Sequence, residues 1–222
     1  SNDSDADVVE AGAGDDTVHL YAGNDTAFGG EGDDRIYGMK GNNTLDGGEG
    51  NDTLHSGRHT SELFGGEGED VLTAQLDKGA DHSLTGGDDA DVFQLVGAVE
   101  DKTSNVEITD FSVGEDVLEI DGHAIDFEDL PEGILLSEDG DGNAVLSFAD
   151  DETVTMLGTS IELLTGKTLP NGIVDGTSGD DVINLSYVDA DGDAVSNDGD
   201  VDVVKAGAGD DTVHLYAGND TA

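Results

Sequence analysis

The chain has 222 residues, with 53 Asp and Glu against 7 Lys and Arg, a formal charge of −46, 34 glycines and no cysteine. That balance excludes a nucleic-acid binder, because nothing here could neutralise a row of phosphates, and disfavours docking on anionic lipid. The absence of cysteine excludes disulfide frameworks and thiolate metal sites, and apolar and aromatic contents of 35% and 5% leave a chain that is either disordered or folded around cations.

No apolar run approaches the roughly 18 residues of a membrane span, so no membrane insertion is expected. Neither end has the basic start and apolar stretch of a cleaved leader. From Ala11 to Thr73 the sequence reads in nine-residue steps without a slip. The clearest copies are Gly29–Tyr37 (GGEGDDRIY), Gly47–His55 (GGEGNDTLH) and Gly65–Thr73 (GGEGEDVLT). Every ninth position is apolar or Ala: Val18, Ala27, Ile36, Leu45, Leu54, Leu63 and Leu72. After a twelve-residue break, Gly86–Gln94 (GGDDADVFQ) restores the pattern with Phe93. A helix needs apolar spacing near 3.6 and does not tolerate this glycine density. A flexible linker has no reason to hold a fixed apolar period. The step predicts a glycine-rich turn followed by a very short strand, with glycine allowing positive backbone angles and close stacking.

The pattern G-G-x-G-x-D-x-U-x resembles the hemolysin-type calcium-binding (RTX) nonapeptide repeats of secreted bacterial proteins. The resemblance covers roughly residues 2–97, with further copies near the C-terminus. It implies an all-β fold: a parallel β-roll with two nonapeptides per coil, each turn stacking on the turn two repeats before it. It also implies Ca²⁺ between stacked turns, held by the sixth-position Asp and by main-chain carbonyls. Ca²⁺ takes six to eight hard oxygens, and glycine-rich turns expose carbonyls.

The repeats divide into two alternating sets. One starts at residues 11, 29, 47, 65 and 86 and keeps an Asp at its sixth position throughout. The ligands implied there are Gly12, Gly14 and Asp16; Gly29, Gly30, Glu31, Gly32 and Asp34; Gly47, Gly48, Glu49, Gly50 and Asp52; Gly65, Gly66, Gly68 and Asp70; and Asp91. Glu67 occupies the third position of the fourth copy. The other set starts at 2, 20, 38 and 56 and decays, its sixth positions being Asp7, Asp25, Asn43 and Ser61. Its third position becomes Lys40 and then Arg58, His59 replaces a glycine, and Lys78 follows in the irregular turn. The expectation is an unequal roll. One flank carries a rank of about four ions. The other binds near Asp7 and Asp25 and then substitutes Lys and Arg for metal.

Residues 98–170 alternate apolar and polar in strand fashion: NVEITDF, DVLEIDG, GILLSEDGDGNAVLSF and ETVTMLG. Asp139–Asn143 (DGDGN) reads as a hairpin turn. An EF-hand reading fails because Ala144 stands where Gly is required and Asp150 replaces the bidentate Glu. Ile108–Ile120 resembles the segment that closes RTX rolls in serralysin-type proteases and mannuronan epimerase modules. That resemblance implies one further calcium at Asp110 and Asp116. Phe111, Leu118, Ile120 and Leu146 are expected to cap the open end, since a bare terminal coil exposes its core.

Three regions are thus expected: a roll over 1–97, a mainly antiparallel β cap over 98–170, and the start of a second roll over 171–222. Gly176–Asn184 (GTSGDDVIN) is another copy, and after a twelve-residue insertion the repeats resume. Ser196–Ala222 matches Ser1–Ala27 at 24 of 27 positions, the differences being Ser4/Gly199, Ala6/Val201 and Glu10/Lys205. Near-identity between the two ends predicts a long tandem array whose module begins near Asn171. The ligands implied in this part are Asp181, Asp202, Gly209, Asp211 and Asp220, and the whole chain is expected to hold about 5–8 Ca²⁺.

No enzyme is expected. His55 and His59 are four apart, but no Glu follows His55 and the repeat register separates them into strand and turn. There is no Gly-x-Ser-x-Gly elbow or phosphate loop. Pairs such as Asp15/Asp16 and Asp33/Asp34 read as one ligand and one solvated neighbour. Repulsion among dozens of carboxylates is expected to keep the metal-free chain unfolded, with calcium binding and folding one event. The resemblance implies export by type I secretion to the cell surface or medium, with folding outside the cell. The function expected is a structural spacer or adhesin module whose partners are neighbouring copies of itself. The alternative is a carbohydrate-binding accessory module contacting surface or extracellular polysaccharide.

Overall fold

A computed structural model describes residues 5–77, 79–97, 104–148 and 152–166, with the short strands 173–175, 182–183, 203–205 and 212–213. Ten strands follow the repeats: β1 Val8–Ala13, β2 Thr17–His19, β3 Thr26–Glu31, β4 Arg35–Tyr37, β5 Asn43–Glu49, β6 Thr53–His55, β7 Ser61–Glu67, β8 Val71–Gln75, β9 His82–Asp88 and β10 Val92–Val96. Odd-numbered strands pair in parallel in one sheet and even-numbered strands in the other. Each nonapeptide supplies one strand and one turn, and two make a coil.

The register is the repeat made visible. Val9, Ala27, Leu45 and Leu63 are successive partners two repeats apart, as are Val18, Ile36, Leu54 and Leu72. The seven apolar positions from Val18 to Leu72 are all buried, and all but Val18 are completely inaccessible. A residue repeated every nine places therefore points inward from both sheets, and the two columns meet as one core. The twelve-residue break lengthens one coil without breaking either column, since Leu63 still pairs with Leu84 and Leu72 with Phe93 across it. The surplus is absorbed in the turn, where Ala80 N–H donates to the Asp77 carbonyl and Gly79 takes φ +73°.

The roll and the segment that closes it form one compact unit, Ser1–Leu164. Both sheets run on past residue 97. β11 (Asn105–Ile108) pairs in parallel with β9, and β12 (Val117–Ile120) pairs in parallel with β10. The closing segment therefore begins as a further parallel coil, and turns antiparallel afterwards. β13 (His123–Ala124) folds back on β12, while β14 (Leu135–Glu138), β15 (Ala144–Ser147) and β16 (Thr153–Met156) form a meander, with β16 parallel to β11. A short helix, α1 (Ile161–Thr165), follows. Phe111, Leu118 and Leu146 are buried in the core, and Ile120 packs against it half-buried. Phe111 bridges Phe93 of the last roll coil and Phe127 of the cap, with ring centroids 5.9 Å apart on each side.

The second compact unit is Thr165–Ala222. In it β17 (Ile173–Asp175) pairs in parallel with β19 (Val203–Lys205), and β18 (Val182–Ile183) with β20 (Thr212–Val213). The separation of these partners equals one ordinary coil plus the twelve-residue insertion. No helix among the described residues is long and apolar enough to cross a membrane.

Candidate metal centre

The sixth-position aspartates form a continuous ladder along one flank. Asp16 N–H donates to Asp34 Oδ1 at 2.7 Å, Asp34 N–H to Asp52 Oδ1 at 2.7 Å, and Asp52 N–H to Asp70 Oδ1 at 2.7 Å. Asp70 N–H continues to Asp91 Oδ1 at 3.0 Å across the lengthened coil. One oxygen of each carboxylate is thus spent on the coil before it. The other oxygen is the informative one: Asp34, Asp52 and Asp70 are fully buried, and their Oδ2 atoms have no hydrogen-bond partner.

A buried carboxylate oxygen without a donor costs several kcal/mol. Three of them in register require an explanation, and their surroundings supply one. A methyl group added at Gly29 would meet both Asp34 Oδ2 and the Gly47 carbonyl oxygen of the next coil. At Gly47 it would meet Asp52 Oδ2 and the Gly65 carbonyl, and at Gly65 it would meet Asp70 Oδ2 and the Gly86 carbonyl. The first glycine of each repeat therefore leaves space in which a carboxylate and a carbonyl of adjacent coils come together. The second and fourth glycines have positive φ throughout, from Gly12 and Gly14 (+111° and +105°) to Gly66 and Gly68 (+122° and +119°). Among the described residues no three His, Asp or Glu side chains converge on one point. Any cation here is held by isolated carboxylates with backbone carbonyls, an oxygen-only donor set suited to Ca²⁺. Glu31, Glu49 and Glu67 are exposed and stack in register as a column of like charge.

Burial raises Asp52 to about 6, Asp70 to about 7 and Asp91 to about 6, with neighbouring carboxylates adding to the effect and the ladder N–H groups opposing it. These values lie above the ordinary 3.8, so in this pH interval the metal-free fold holds more protons than the unfolded chain. Stability of the metal-free roll accordingly rises as pH falls through about 7 and is fully gained below about 4. Circular dichroism in chelator should show β-structure increasing on acidification from neutral pH, whereas a signal flat across that interval would contradict the assignment.

The opposite flank starts the same way and then changes. Asp7 N–H donates to Asp25 Oδ1 and Asp25 N–H to Asn43 Oδ1, both at 2.9 Å. From Asn43 on, the ladder position has a donor of its own: Asn43 Nδ2 donates to the Gly38 and Gly41 carbonyls at 2.5 and 3.2 Å. Lys40 and Arg58, expected in place of metal, are exposed. The residues that fill the turn are instead Asn43 and Ser61, because the third position of the repeat points to solvent and the sixth points inward. Lys78 lies outside the described residues.

Several other expectations meet the geometry directly. The fifth-position residues are more than solvated neighbours: Asp33 N–H donates to Asp15 Oδ1, Asn51 N–H to Asp33 Oδ1 and Glu69 N–H to Asn51 Oδ1, a second ladder running the other way. Asp116 continues the sixth-position series, accepting from Asp91 N–H at 3.0 Å and from Ser112 N–H at 2.7 Å. Asp110 accepts from Gly86 and Gly87 N–H, both at 2.9 Å. Both aspartates implied as ligands in the cap thus tie it to the last coil. Asp139 accepts from Asp141 and Asn143 in the turn between β14 and β15, and Asn143 holds its carboxyl below the usual range. His55 faces outward from β6, stacked on Tyr37 at 4.8 Å with His19 stacked beyond at 4.8 Å, while His59 accepts from Gly41 N–H in a turn. The His19, Tyr37 and His55 rings and the exposed Lys40 and Arg58 line a groove of about 600 Å³. Asp181, Asp202, Gly209, Asp211 and Asp220 lie outside the described residues.

The model for the RTX calcium-binding nonapeptide repeat (four copies) matches residues 2–36, 28–58 and 197–222. No curated protein matches the chain.

Proposed function

Since the chain is an RTX repeat protein, a class whose nonapeptides bind Ca²⁺, we propose that it is a structural spacer or adhesin module that folds on calcium outside the cell. The observation that carries this reading is the rank of buried, unpartnered Oδ2 atoms at Asp34, Asp52 and Asp70. Calcium supplies positive charge and hard-oxygen coordination to such a rank. The chain supplies the rest: one carboxylate per coil, carbonyls of the following coil, and glycines that keep the space open. A formal charge of −46 opposes compaction without metal, so export in a low-calcium state, by type I secretion, leaves the chain unfolded until it meets calcium. Extracellular modules bind in the range of about 10⁻⁴–10⁻³ M.

The near-identity of Ser196–Ala222 with Ser1–Ala27 supports an array in which neighbouring copies are the partners. RTX family and β-solenoid fold are consistent with a structural rather than catalytic module. Stretching a chain of several copies in a force spectrometer should give one cooperative unfolding event per copy in calcium and a featureless extension in chelator. Identical traces in both would remove calcium from the mechanical role.

One observation favours the carbohydrate alternative: the groove joining stacked His19, Tyr37 and His55 to two cations on an otherwise acidic chain. Rings of this kind stack on sugar faces, and Lys40 and Arg58 suit an acidic saccharide. Oligosaccharide binding by the calcium-loaded module that is lost in Tyr37→Ala would establish it.

A further inference from the structure

The two flanks place chemically opposite groups at the same point of the fold. On the first flank the sixth side chain ends in a carboxylate oxygen that, when ionised, can only accept, at Asp34, Asp52 and Asp70. On the second flank it ends in a donor in two consecutive coils, and a donor also stands next in that column. Asn43 Nδ2 reaches the Gly38 and Gly41 carbonyls, the first and fourth positions of its own repeat. Ser61 Oγ reaches the Ser56 and His59 carbonyls at 3.1 and 3.2 Å, again the first and fourth positions. His82, the strand partner of Ser61, has Nε2 at 3.1 Å from the Gln75 carbonyl.

The donor assignment follows from the partners. Asp25 N–H can only donate, so the atom of Asn43 facing it at 2.9 Å is the amide oxygen. The NH₂ group therefore faces the two carbonyls. A carbonyl can only accept, so Nε2 of His82 carries the proton, and burial holds that ring neutral by lowering its pKa. We infer that Asn43 and Ser61 take the place of calcium on the second flank: each satisfies with its own proton the turn carbonyls that a cation satisfies on the first, and His82 continues their column with a donor bonded to the end of β8. The sixth side chain thus determines, coil by coil, whether a turn requires metal, and calcium on this flank is confined to the coils of Asp7 and Asp25.

This inference rests on the proposed calcium binding of the first flank, and the test separates the two. Asn43→Asp keeps the size and the ladder oxygen but replaces the donor by a carboxylate oxygen. In the full chain it should bind about one more Ca²⁺ than wild type by isothermal titration calorimetry, with its folding midpoint moved to higher calcium. The reciprocal Asp52→Asn should bind about one fewer and still fold in calcium, its amide closing the turn as Asn43 does. Asn43→Ala, which removes the donor without adding a ligand, should lower thermal stability with the ion count unchanged. If wild type binds calcium and both Asn43→Asp and Asp52→Asn keep its stoichiometry, the inference is wrong while the calcium reading stands. If wild type binds none, the calcium reading itself falls, and the inference with it.

Discussion

Replacing Asp34, Asp52 and Asp70 together with alanine should abolish calcium-driven folding of the roll. Each of these side chains has two tasks, and alanine performs neither. Its Oδ1 accepts the backbone N–H of the preceding coil at 2.7 Å, so removal leaves that donor unpaired, buried at Asp34 and Asp52 and half-buried at Asp16. Its Oδ2 is the unpartnered oxygen of the rank, so removal deletes the proposed ligand at each turn. Losing the ladder bond alone costs about 1–3 kcal/mol per site. Losing the ligand adds at least about a tenfold weakening per site, equivalent to about 1.4 kcal/mol. A small domain has only about 5–15 kcal/mol of stability, so three such sites, about 7–13 kcal/mol together, remove most or all of it. Far-UV circular dichroism of the triple variant should stay coil-like at calcium concentrations that fold wild type. A normal transition at unchanged calcium would mean that the rank is decorative.

The second large effect separates space from backbone strain. Gly47→Ala places a methyl group against Asp52 Oδ2 and the Gly65 carbonyl, in the space between coils, while the backbone there needs no positive φ. Gly48→Ala puts its methyl against the Gly30 carbonyl at φ +112°, where an L side chain is strained whatever the space. The Gly47 variant should bind about one ion fewer and lose about 1–3 kcal/mol, because its methyl displaces the Asp52 side chain and presses on the Gly65 carbonyl without backbone strain. The Gly48 variant should lose about 3 kcal/mol or more, from strain and from coils forced apart. Calorimetric ion counts and thermal melts in calcium measure both. Equal losses in the two variants would contradict the idea that the first glycine clears the metal space and the second sets the turn.

Much of this arrangement was legible in the sequence, because a nine-residue period leaves little freedom. Once Val18, Ile36, Leu54 and Leu72 are inward and two repeats make a coil, the other column and the parallel register are determined. The sixth-position Asp column was readable for the same reason. Direction within the turn was not. Period alone assigns Lys40 and Arg58 to the same coils as Asn43 and Ser61, and only the backbone course shows which pair points inward. The fifth-position ladder left a signal, Asp15, Asp33 and Asn51 at nine-residue doublings, but two adjacent carboxyls do not reveal that their hydrogen bonds run opposite ways. The parallel coil formed by β11 and β12 was hidden because these strands lie farther along the chain than the period places them, while the pairing continues.

The most direct measurement is a calcium titration of the wild-type chain followed by far-UV circular dichroism, with magnesium in parallel. Mg²⁺ demands near-ideal octahedral geometry and gives up its water reluctantly, so turns built from carbonyls and isolated carboxylates should discriminate against it. The expected result is a coil-to-β transition at sub-millimolar to millimolar calcium that magnesium does not produce. A roll already fully folded in chelator at neutral pH would contradict the account, since the buried oxygens of Asp34, Asp52 and Asp70 would then be tolerated without a cation.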